Sequence, residues 1–224
     1  MSLPVGVLVS GQGTNLQALI EATREPGFPA HIVLVGCNRA DAPAVQRATT
    51  AGLRVCLADR AAMPRRSERQ NALRAALEAA RAELVVLAGY DEVLSPDFVT
   101  AFAGRMLNTH PSLLPAFGGT MHAVAQALEA GVKVTGCTVH LVTDEVDGGP
   151  ILLQRCVDVL DDDTLETLRA RIQAQEHLLL SAAVRAFAEG RVFIEGRRAR
   201  VIASSTQPSA VSRHRSAGGT VPRG

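Results

Sequence analysis

The sequence predicts an α/β fold: a doubly wound, mostly parallel twisted sheet in a single domain. Three observations carry that expectation. Short apolar runs such as residues 4–9 and 84–87 are continuous rather than alternating, as in strands buried on both faces. Segments of helical periodicity separate them, an order that fits parallel strands joined by crossover helices. At 224 residues and 47% hydrophobic content, the chain can bury a sizeable core.

Charge and cysteine usage narrow the function classes. Lys and Arg number 23 against 22 Asp and Glu, a net charge of +1. That balance gives no bulk attraction to nucleic acid, so an anionic ligand must be held by local devices. Cys37, Cys56, Cys137 and Cys156 lack metal-like or redox-like spacing and read as reduced core cysteines. No charged start followed by an apolar core marks a leader, and no apolar run approaches the roughly 20 residues that span a bilayer. The expectation is a soluble cytoplasmic protein with no metal, no nucleic-acid partner and no membrane contact.

Residues 4–9 form the first strand and run into Ser10-Gly11-Gln12-Gly13-Thr14-Asn15, after which Leu16, Leu19 and Ile20 mark one side of a helix. Strand, glycine turn and helix make a phosphate cradle, because glycine lets a ligand approach the backbone and the helix start offers unpaired N–H groups. A plain strand-to-helix turn would use the same residues. The next strand, 31–37, ends in Asn38-Arg39. A dinucleotide-binding Rossmann enzyme would place an acid there and a third glycine where Leu16 stands, and this chain has neither. A helix over 42–51, with Pro43 in its first turn, precedes a short strand, 54–57. A helix over 67–81 and the buried strand 84–87 follow.

The run Asn108-Thr109-His110-Pro111-Ser112-Leu113-Leu114-Pro115 follows the end of another strand. Alternate strand residues share a face, so Asn108 and His110 emerge together where Pro111 forces the chain out of the sheet. An amide donor beside an imidazole suits acyl chemistry: one binds an oxyanion, the other exchanges a proton near neutral pH. A helix over 121–130 stops at Gly131, and a strand over 132–141 places His140 near its end, where a histidine is either structural or a ligand contact. The acidic turn Thr143-Asp144-Glu145-Val146-Asp147-Gly148-Gly149-Pro150 leads into a strand over 151–159. Asp161, Asp162 and Asp163 are expected to cap a helix over 164–189. A closing hairpin over 192–195 and 197–202 and a disordered tail over 204–224 complete the expected folded unit, 1–203.

These motifs together resemble the folate-dependent formyltransferases. The resemblance rests on residues 108–115, Ser10–Asn15, Leu87-Ala-Gly-Tyr90 with Leu94-Ser-Pro96, Gly136-Cys-Thr-Val-His140, Asp147-Gly-Gly-Pro150 and Gln173-Ala-Gln-Glu-His177, in the family's order across roughly residues 4 to 202. It implies 10-formyltetrahydrofolate as co-substrate and the amine of 5′-phosphoribosylglycinamide as acceptor, in a monomer or weak homodimer. By the same resemblance Asn108, His110 and Asp147 are catalytic. Gly11, Gln12, Gly13, Thr14, Asn15 and Glu176 bind the acceptor's phosphate and ribose. Arg66, Asp91, Glu92, Val93, Leu94, Thr143, Asp144, Glu145 and Val146 join Asn108 and Asp147 around the folate, with His140 a possible contact. Asp91 and Glu92 depart from the family, which has an apolar and then a basic residue there. Two alternatives stay open: a sister enzyme that hydrolyses formyltetrahydrofolate or formylates methionyl-tRNA, and an NADP-binding Rossmann module. The sister enzymes normally carry a further domain for which this length leaves little room.

Overall fold

The structure, a computed structural model, describes residues 2–203, so the expected tail over 204–224 lies outside the described residues. The first half runs β1 (Leu3–Val9), α1 (Thr14–Arg24), β2 (Ala30–Cys37), α2 (Pro43–Thr50), β3 (Val55–Leu57), α3 (Arg66–Ala79) and β4 (Leu84–Leu87). The second half runs α4 (Pro96–Ala101), β5 (Met106–His110), α5 (Ala123–Glu129), β6 (Val134–Leu141), β7 (Ile151–Asp158), α6 (Leu165–Ala188), β8 (Val192–Glu195) and β9 (Arg198–Val201). All nine strands form one sheet in the order β3-β2-β1-β4-β5-β6-β7-β9-β8. Strands β3 to β5 are parallel, whereas β6 is antiparallel to both β5 and β7.

Helices cover both faces. Leu16 and Leu19 of α1, Ala44 and Ala48 of α2, and Leu168, Ile172 and Leu179 of α6 pack on one face with Val5, Val7 and Val9. Leu73 and Leu77 of α3, with Phe98 of α4 and Phe102 just after it, pack on the other face with Leu8, Val85 and Met106. That second layer reaches β5 and no further, which corrects one expectation: Cys156, on the outer face of β7, is exposed. Cys37 and Cys137 are buried and Cys56 is partly covered.

Two local details also differ from expectation. Helix α4 starts with Ser95 as cap, its hydroxyl accepting from the Phe98 N–H, and Pro96 in the first turn. The three aspartates before α6 do not supply its cap. Thr164 does, in a reciprocal pair with Thr167, because Asp163 is occupied by the Leu160 N–H and Arg171 and Asp161 by Lys133.

The chain reverses winding direction at β1, which lies between β2 and β4. A crevice at the carboxyl ends of the strands is the geometric result, and ligands of open α/β sheets bind there.

Candidate active site

A cavity of about 480 Å³ opens at those strand ends, lined by the loop after β1, the segment after β4, the end of β5, the β6–β7 loop and one side of α6. It gathers Gly11 to Asn15, Asp91 to Leu94, Asn108, His110, His140, Thr143 to Asp147 and Glu176. Arg66 is not among the lining residues: it is exposed at the start of α3. Residues given no site role in the sequence reading also line it, notably Thr109, Met121, Val142 and Gln173.

The central cluster is built on the ends of β5 and β6. His110 is 5% exposed and its two nitrogens face two acceptors: Nε2 lies 2.9 Å from Phe117 O and Nδ1 3.3 Å from Asp147 Oδ2. Phe117 and Asp147 have φ of 55° and 53°, two of the three non-glycine residues in the left-handed region among the described residues. Such backbone costs about 1–3 kcal/mol per residue and persists where surrounding contacts enforce it. Here both residues grip the same imidazole.

His140 fixes the other side. Its Nδ1 lies 2.9 Å from Leu141 O, which can only accept, so Nδ1 carries a proton, and its Nε2 meets both Asn108 Nδ2 at 3.1 Å and Asp147 Oδ1 at 3.4 Å. The second amide hydrogen of Asn108 faces Asp147 Oδ1 at 3.4 Å, a long contact that leaves it available to an oxygen in the cavity. Asp147 Oδ2 also accepts from the Gly119 N–H at 2.8 Å. Burial opposes ionisation of Asp147, but the His140 contact, the Gly119 N–H and the two histidines together hold its carboxyl below the usual carboxylate range. The turn that presents it needs glycine: a Cβ on Gly149 would stand 1.8 Å from Leu141 O.

At one end of the cavity, Gly13 begins α1 with φ 71° and no side-chain cap, so the first N–H groups of the helix point outward unclaimed. Arg47 of α2 braces this loop from behind, its Nε 2.8 Å from Gln12 O. Beside it, Glu176 Oε1 accepts from Thr109 Oγ1 at 3.1 Å, and Oε2 lies 3.5 Å from Asn15 Nδ2. Burial pushes the Glu176 carboxyl up to about 7, against the pull of those two hydrogen bonds.

At the other end, Asp91 and Glu92 are not free acids. Arg60 pairs with both, and Arg69 meets Glu92 at 2.8 Å. Neither arginine was singled out in the sequence, because each lies more than 20 residues from its partner and shares no motif with it. Burial opposes the Glu92 carboxylate, yet Arg69 and Arg60 hold it below the usual range. Among the described residues, no group of three His, Cys, Asp or Glu side chains is placed to hold a metal.

An amide donor, two imidazoles and a carboxylate in mutual contact can stabilise an oxyanion and move a proton, the needs of acyl or formyl transfer. Residues 4–184 match the formyl transferase family, and the chain belongs to it. It is 48% identical over 193 residues to the phosphoribosylglycinamide formyltransferase of Mycobacterium tuberculosis, covering 86% of this chain and 88% of that one. It is 45% identical over 188 residues to the trifunctional purine biosynthetic protein adenosine-3 of Bos taurus, of which it spans 18% of the length and 84% of its own. The crystal structure of glycinamide ribonucleotide transformylase 1 from Symbiobacterium toebii superposes with a TM-score of 0.86 at 50% identity, covering 90% of this chain and 95% of that one.

Proposed function

We propose that this protein transfers a formyl group from 10-formyltetrahydrofolate to the primary amine of 5′-phosphoribosylglycinamide. The observation that carries the reading is the contact set of Asn108, His110, His140 and Asp147 midway along a cavity with chemically different ends. The uncapped start of α1, behind Gly11 to Thr14, takes the acceptor's phosphate through main-chain N–H groups and the positive helix end. Glu176, when ionised, accepts from ribose hydroxyls. Main chain from Ala88 to Leu94, with Val99 and Val142 nearby, offers a flat pterin both hydrogen-bonding and apolar surface.

In this mechanism the amine nitrogen attacks the formyl carbon and the carbonyl oxygen becomes an oxyanion. The Asn108 amide hydrogen that makes the long 3.4 Å contact with Asp147 Oδ1 donates to it instead. His110, carrying two protons, supplies positive charge beside it, and its bond to Phe117 O is the one that must open if the ring is to touch the oxyanion. Asp147 stabilises that charge and accepts the proton that the attacking amine loses. As the bond from formyl carbon to folate nitrogen breaks, Asp147 passes that proton on to the leaving nitrogen and is regenerated as carboxylate, and no covalent enzyme intermediate forms.

Asn108→Ala tests the reading. Loss of one oxyanion donor should cut kcat about 100- to 1000-fold with the fold intact by circular dichroism. Turnover within a few-fold of wild type would remove Asn108 from the mechanism.

A further inference from the structure

The segment from Ala88 to Ser95 forms one wall of the cavity and is tied at almost every residue to a different element. The Asp91 N–H donates to Ser10 Oγ (3.0 Å) after β1, and Asp91 Oδ1 accepts from Asn38 Nδ2 (3.0 Å) after β2. Glu92 Oε1 accepts from Arg69 Nη2 (2.8 Å) and Arg60 Nε (2.9 Å), while Oε2 accepts from the Tyr90 hydroxyl (3.3 Å). Arg69 also donates to the Met63 and Pro64 carbonyls. Gln70, the next residue of α3, closes the segment through Val93 O (2.9 Å) and the Ser95 N–H (2.8 Å). The Arg69 and Glu92 side chains are each 8% exposed, so this is an interior ion pair rather than a surface one.

Two consequences follow from that geometry. The acids are neutralised from behind the wall, which cancels the repulsion that an anionic folate would meet from Asp91 and Glu92 alone. The wall's shape also depends on a pair whose disruption leaves a buried, uncompensated charge, the costly case for ion pairs. We infer that Arg69 and Glu92, with Arg60 as outer partner, are positioning residues for the formyl donor, setting its affinity through the main chain of residues 88–94. The inference rests on the proposed placement of the folate at this end of the cavity.

Calorimetric titration with 10-formyl-5,8-dideazafolate, a non-labile donor, combined with steady-state kinetics tests it. Glu92→Gln should raise the donor Kd and KM about 10-fold, a change of about 1.4 kcal/mol. The acceptor KM, and kcat at saturating donor, should stay within about twofold, because the cluster on β5 and β6 is untouched. The double variant Arg69→Met, Glu92→Leu removes both buried charges and should fold with wild-type stability, yet bind donor as weakly as the single variant. Donor affinity within twofold of wild type in either folded variant overturns the inference. So does a parallel shift of kcat and both KM values, which marks a merely structural role. A wild-type protein that fails to bind the donor analogue would instead sink the folate placement itself, before any variant is compared.

Discussion

Glu176→Gln should make the folded protein more stable and the enzyme worse. Glu176 is 5% exposed, and burial raises its carboxyl to about 7 from the ordinary 4.5, although Thr109 and Asn15 donate to it. Between those two values the folded state binds more protons than the unfolded chain, so stability falls as pH rises through the window. By pH 8 the ionised carboxylate costs the fold about 3 kcal/mol. Glutamine has the same shape without the charge, and its amide nitrogen can donate to Asn15 Oδ1, which is buried without a partner. Scanning calorimetry should therefore find the variant's Tm roughly 6 to 12 °C above wild type at pH 8, with the gap closing toward pH 5. Losing a charged acceptor for a ribose hydroxyl removes roughly 1.5–3 kcal/mol of binding. The acceptor KM should rise about 10- to 100-fold while the donor KM stays put. A variant less stable than wild type at pH 8, or a Tm gap independent of pH, would refute the argument.

Other outcomes can be checked with the same assays. His110→Ala should fold normally and lose about 100- to 1000-fold in kcat, the cost of removing charge stabilisation at the oxyanion; near-wild-type turnover would mean the imidazole only supports Phe117. Asp147→Asn should lose activity comparably and also destabilise the protein at pH 7. Its carboxyl is held below the ordinary 3.8, so its contribution is present above about 4 and disappears as pH falls through the lower folded value. The Tm gap between Asp147→Asn and wild type should accordingly shrink in acid. Gly13→Ala should weaken acceptor binding at least about 10-fold, because Gly13 has φ 71° and a Cβ there would stand 2.7 Å from Ala44 Cβ; an unchanged acceptor KM would place the phosphate elsewhere.

The parallel half of the fold was legible because continuous apolar runs such as residues 84–87 can be little else than strands buried on both faces. The i, i+2 spacing of Asn108 and His110 likewise dictated a shared face. Pairing direction was not written there: nothing in residues 132–141 separates an antiparallel partner of β5 from one more parallel strand. Helix α4 was missed although Ser95-Pro96-Asp97 is a cap, a first-turn proline and a first-turn acid, because its six residues carry too little periodicity to read. The contacts that neutralise Asp91 and Glu92 span 31 and 23 residues, and only the assembled fold brings those arginines to them. The resemblance selected Arg66 for the folate; Arg66 is exposed outside the cavity lining, and Arg69, one helical turn later, is the buried arginine that meets Glu92. The placement of Asp147 between two histidines depends on a left-handed turn that composition alone does not announce.

The most direct measurement of the central claim is a spectrophotometric assay of folate product from 10-formyltetrahydrofolate, run with and without 5′-phosphoribosylglycinamide. The account predicts tetrahydrofolate formation, matched mole for mole by formylated nucleotide, only when the acceptor is present. Donor cleavage without acceptor would contradict it and make the same cluster a hydrolase.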